Sequence, residues 1–86
     1  MIEVYDTYVR GRRGELIHFD VLVNPGTEKG LVEIYAKQYL VTQLNKINAD
    51  IDIVKCDFCH LESVTAQVKL VIEQNGYAII PLEGCS

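Results

Sequence analysis

Residues 2–9 and 15–23 are both rich in β-branched and aromatic side chains, and Gly11-Arg12-Arg13-Gly14 lies between them as turn chemistry. The pattern predicts an N-terminal β-hairpin. With the turn centred on Arg12 and Arg13, the register puts Ile2, Val4, Asp6 and Tyr8 on one face with Ile17, Phe19, Val21 and Val23. Tyr5, Thr7, His18 and Asp20 then occupy the other face.

Asn24-Pro25-Gly26 punctuates the chain, and Thr27 is placed to cap a helix running to about Lys46. Val32, Tyr35, Ala36, Tyr39, Leu40, Leu44 and Ile47 recur at helical spacing and mark its core face. Ile34 and Val41 fall on the opposite side, as plain surface or as a self-association contact. Asp50-Ile51-Asp52-Ile53-Val54-Lys55 begins with strict alternation and predicts a third strand with one buried face, ended by Cys56. Ser63 is a candidate cap for a second helix with Val64, Val68, Val71 and Ile72 as its apolar stripe, closed by Asn75-Gly76. Tyr77-Ala78-Ile79-Ile80 predicts a last strand, stopped by Pro81.

The predicted class is α+β in the order ββαβαβ, with a mixed four-stranded sheet, the N-terminal hairpin and two helices. Each helix is long enough to cross between parallel strands. Alternation in the first and third strands implies a sheet covered on one side, hence a two-layer sandwich. With the third and fourth strands as parallel neighbours, Cys56, Cys59 and Cys85 would meet at one sheet edge, where the second helix also begins.

Composition narrows the classes without naming a function. Eighty-six residues suit one domain over 1–86, and 49% hydrophobic with 23% charged residues is a globular balance. A net charge of −4 argues against nucleic acid as a partner. Arg10, Arg12 and Arg13 sit around the hairpin turn, with no aromatic residues interleaved for stacking. The start of the chain shows neither a basic leader nor the apolar run of a signal peptide, and no stretch is long enough to span a bilayer. The expectation is a cytoplasmic protein, off the membrane, monomeric or weakly dimeric, with a protein partner as its working context.

In a reducing compartment three cysteines point to metal or thiol chemistry before a disulfide. Cys56-Asp57-Phe58-Cys59 has the spacing of metal knuckles and redox motifs, and His60 follows directly. The first reading is a tetrahedral Zn²⁺ site made by Cys56, Cys59, His60 and Cys85. The second is a thiol redox protein or small enzyme, with Cys56 and Cys59 as the dithiol and Cys85 as resolving partner. Cys-x-x-Cys-His also matches c-type haem attachment, though the chain offers little room for such a pocket. Against all three stands a structural reading: Cys56 buried at a strand end, Cys59 in a loop and Cys85 in the tail.

Asp6, His18 and Asp20 need separate accounts. The register puts Asp6 on an apolar face, where a carboxylate needs partners or a raised pKa unless the register slips by one. His18 lies mid-strand, away from the cysteine edge, which makes His60 the preferred fourth ligand. Contacts of His18 with Thr7, or of Asp20 with Tyr5, are its simplest explanation.

Val4-Tyr5-Asp6-Thr7-Tyr8, His18-Phe19-Asp20-Val21, Cys56-Asp57-Phe58-Cys59-His60, Gly76-Tyr77 and Gly84-Cys85 together carry a resemblance over nearly the whole chain. The sequence resembles a family of small bacterial proteins known as domain of unknown function twenty-twenty-four. The resemblance implies a compact α+β domain and places the same Asp, His and Cys positions among the family's features. It implies no activity, substrate or cofactor. The leading expectation is therefore a small zinc-binding or interaction module, with the thiol protein as the alternative.

Overall fold

The computed structural model describes residues 1–45 and 51–84. Its elements are β1 (Ile2–Arg10), β2 (Leu16–Val23), α1 (Lys29–Gln43), β3 (Asp52–Glu62), α2 (Ala66–Asn75) and β4 (Tyr77–Glu83). The α+β class, the ββαβαβ order, the N-terminal hairpin and the four strands with two helices are as expected.

The sheet itself differs from the expectation of a mixed one. Its order is β3-β1-β2-β4, and every hydrogen-bonded pair is antiparallel. Helix α1 does link strands running in the same direction, β2 and β3, but β1 lies between them. The third and fourth strands are therefore not neighbours; they form the two opposite edges.

The hairpin register is one residue from that expected. The loop from Gly11 to Glu15 is closed by Gly11 N–H donating to the Glu15 carbonyl at 2.8 Å, and Gly14 takes a left-handed φ of 84°. Tyr8 consequently pairs with His18, Asp6 with Asp20 and Thr7 with Phe19. Because a strand alternates faces, this single step exchanges the whole partner set. Asp6 shares its face with Val4, Tyr8, His18, Asp20 and Leu22, not with Phe19 and Val21.

The two faces receive different helices, which corrects the two-layer picture. Tyr5, Val9, Ile17, Phe19, Val21 and Val23 pack against Val32, Ala36, Tyr39 and Leu40 of α1, with Cys56 in the same cluster. On the opposite face Ile2, Val4, Leu22 and Ala78 pack against Ile72 of α2, joined by Val64 and Val68. Alternation in β1 hid this arrangement because its polar positions, Asp6 and Tyr8, interrupt only one end of the second face.

Both helix starts fall later than expected. Asn24–Thr27 forms a turn with Pro25 second and Gly26 third at φ 86°, and Thr27 spends its hydroxyl on the Asn24 carbonyl at 2.7 Å. The helix cap falls to Glu28, whose carbonyl accepts from Val32 N–H. The expected helix residues Lys46 and Ile47, and the strand start at Asp50, lie outside the described residues. In α2 the cap is Thr65, whose hydroxyl accepts from Val68 N–H at 3.2 Å; β3 runs on to Glu62, and Ser63 lies two residues short of the cap. Gly76 ends α2 in the left-handed conformation, as expected, and a Cβ there would come within 2.5 Å of the Tyr35 hydroxyl.

Strand β3 continues through the Cys56–His60 segment instead of ending there, and it breaks register with β1 twice. Ile53 pairs with Val9 and Lys55 with Tyr8, which leaves Val54 as an extra residue; Phe58 pairs with Tyr5 and His60 with Val4, which leaves Cys59 as another. At the other edge, β4 runs through Pro81, which pairs with Phe19 beside a further shift in register. An edge strand tolerates proline because one side of its ladder is open.

Candidate functional site

Polar residues gather on the part of the second sheet face that α2 leaves open. Cross-strand pairing sets Asp6 beside Asp20 and Tyr8 beside His18, and continues to Lys55 on β3, opposite Tyr8. His18 Nε2 lies 2.5 Å from Asp6 Oδ1, with both side chains mostly but not wholly covered, at 16% and 22% exposure. Lys55 Nζ approaches the other Asp6 oxygen at 3.6 Å. The Tyr8 ring stacks on His18 at 4.0 Å between centroids, and Lys55 Nζ stands 5.8 Å from the centre of that ring. Strand interiors, not loops, hold all of these groups, so their spacing is fixed by backbone pairing.

One ligating atom each from Asp6, His18 and Asp20 lie within 4.8 Å of one another. Burial raises the pKa of Asp20, and the neighbouring Asp6 carboxylate adds to the rise; His18 and then His60 oppose it, and Glu62 adds a little more. Two carboxylates and an imidazole held this closely attract a positive charge. Lys55 supplies part of one from the Asp6 side.

The cysteine motif is arranged differently. Cys56 pairs with Thr7 on the α1 face and is buried, with its Sγ 3.6 Å from the Thr7 hydroxyl. Burial pushes its thiol pKa up, opposed by the Thr7 hydrogen bond, so the thiolate needed for ligation or attack is disfavoured. Cys59 is exposed at the bulge, and His60 stands on the opposite face from Cys56, 3.8 Å from a Glu62 carboxylate oxygen. Asp57, although level with Asp6, is exposed and paired with Lys29 at 3.3 Å. Cys85 lies outside the described residues; Gly84, the last before it, packs against Leu16 and Ile17 on the β2 side of the sheet. Among the described residues, Cys56, Cys59 and His60 do not converge as a group of ligands, whereas Asp6, His18 and Asp20 do.

A family model described as Domain of unknown function (DUF2024) matches residues 1–82. The chain belongs to this family. Within the solved structures, the DUF2024 chain is similar to the NMR structure of protein NE1680 from Nitrosomonas europaea, a Northeast Structural Genomics Consortium target. The two are 40% identical, the match covers 99% of this chain and 98% of that one, and the TM-score is 0.76. No curated protein matches. Among the described residues, no helix is long and apolar enough to cross a membrane.

The sequence carried a signal for this site that the predicted register concealed. Polar residues occur two apart in both hairpin strands, Asp6 with Tyr8 and His18 with Asp20. Matching polar to polar across the hairpin gives the observed pairing; centring the turn on its arginines does not.

Proposed function

We propose that the protein is a divalent-metal-binding module whose cation is held by Asp6, His18 and Asp20 on the open half of the sheet. The observation that carries this reading is the convergence of three ligating atoms within 4.8 Å on paired, mid-strand positions. Around a tetrahedral ion with bonds of about 2.0–2.2 Å, ligand atoms sit a little over 3 Å apart, so only small side-chain adjustment is required. His18 Nε2 and Asp6 Oδ1 already stand 2.5 Å apart, and a cation bound between them would engage both atoms. One imidazole with two carboxylates suits Zn²⁺, Fe²⁺, Co²⁺ or Mn²⁺, and three protein ligands leave a position for water or another ligand.

This keeps the metal-binding expectation and moves it from the cysteines. Burial of the Cys56 thiol and the placement of His60 on the other face weigh against Cys56, Cys59, His60 and Cys85 as the zinc set. Equilibrium dialysis of protein prepared without chelator against Zn²⁺, Co²⁺ and Mn²⁺ tests the reading. Asp20→Asn and His18→Gln should each weaken binding tenfold or more, while Cys59→Ser and Cys85→Ser bind as the parent does. Loss of binding in the cysteine variants, with Asp20→Asn unaffected, would return the metal to the thiols.

A further inference from the structure

The Cys-x-x-Cys-His motif takes no part in the three-residue site, yet it lies along the strand that borders it. In an unbroken strand Cys56, Phe58 and His60 would all point to the same side. Cys56 and Phe58 do share the α1 face, where Phe58 meets Tyr5 edge-on with ring centroids 6.0 Å apart. The extra residue at Cys59 then reverses the alternation, and His60 emerges opposite Val4 on the face that bears Asp6, His18 and Asp20. Bulges beside functional sites commonly re-aim a side chain in this way.

We propose that His60 is a fourth protein ligand, closing the Asp6–His18–Asp20 cation site from β3; the inference rests on the metal reading above. His60 is half exposed, with its side chain at 50%, and its approach to Glu62 at 3.8 Å is too long for a hydrogen bond. Its exposed ring stands on the same face as Asp20, whose ionised form it favours. The second bulge, at Val54, brings Lys55 onto the same face beside Asp6. The two irregularities of β3 thus each bring a basic side chain onto the face that bears the site. With His60 engaged, the donor set becomes two imidazoles and two carboxylates, suited to Zn²⁺ or Fe²⁺ over Mg²⁺ or Ca²⁺. Glu62 is placed to accept the N–H of the ring nitrogen that does not ligate, as outer carboxylates do for metal-bound histidines.

The chain has two histidines, so its ring spectrum is read without ambiguity. The experiment is long-range ¹H–¹⁵N correlation of the imidazole nitrogens in ¹⁵N-labelled full-length protein, before and after one equivalent of Zn²⁺. The expected result is that both rings shift into the metal-bound pattern together. His60→Ala should then lower Zn²⁺ affinity about tenfold or more, and leave the melting temperature of the metal-free protein nearly unchanged because the side chain is exposed. Movement of the His18 ring alone overturns the proposal while keeping the three-residue site. Movement of His60 alone overturns both and favours the cysteines. Silence of both rings defeats the metal reading itself.

Discussion

The two faces of the sheet are built from alternate residues of the same strands and meet opposite fates. The α1 face carries Tyr5, Thr7, Phe19 and Val21, all buried, and the polar Thr7 side chain is hydrogen-bonded within the face. The α2 face is closed by apolar packing where Val4 and Leu22 meet Ile72; beyond them come Asp6, Tyr8, His18 and Asp20, which stay partly open to water. A helix covers apolar positions and stops where ionisable ones begin. The fold is thus anchored chiefly on one side, which leaves half of the other for groups whose ionised forms full burial would penalise.

The largest break in this comparison should come from the α1 side. Phe19→Ala removes a fully buried ring stacked obliquely on Tyr39 at 4.9 Å, and should cost about 3–5 kcal/mol in urea unfolding. Ile72→Ala empties the smaller cluster beneath α2. Its cost should fall near the low end of about 2–5 kcal/mol, with α2 amides losing hydrogen-exchange protection before those of α1. If Ile72→Ala proves more damaging than Phe19→Ala, the order of the two faces is reversed. Thr65→Ala removes the α2 cap and should cost about 1 kcal/mol by the same unfolding assay.

The smallest effect should have the opposite sign. The raised pKa of Asp20 means the folded state holds its proton more tightly than the unfolded chain does. Ionising Asp20 therefore removes stability as pH rises from the unfolded carboxyl value through the higher folded one, and the loss persists at neutral pH. Asp20→Asn should accordingly raise the metal-free melting temperature slightly at pH 7, and the gain should vanish as pH falls below the unfolded value. A lower melting temperature at pH 7 would mean that Asp20 serves the fold and not the site.

Much of the fold was legible because its signals are local. Gly76 after Asn75, the stripe of Val32, Ala36, Tyr39 and Leu40, and the glycines around Arg12 and Arg13 each report short-range geometry. Register and strand order are non-local, and these were the points missed. A loop from Gly11 to Glu15 pairs different residues from a turn centred on Arg12 and Arg13, and that one step separated Asp6 from His18 in the expected arrangement. Strand β3 looked as if it ended at Cys56 because bulges at Val54 and Cys59 spoil the two-residue period on which strand recognition depends. The same bulges carry Lys55 and His60 to the open face, so the least readable stretch borders the site.

The margins of the sheet carry a consequence for the protein in concentrated solution. An unpaired strand is a template on which another chain can add, layer after layer, toward a fibril. Here β3 is interrupted by its bulges, and β4 contains Pro81, which lacks an N–H to offer a newcomer. Neither margin presents a long, evenly spaced row of donors and acceptors. These interruptions oppose growth of a small sheet with two open ends, along which Val54, Phe58, Ile80 and Leu82 are exposed.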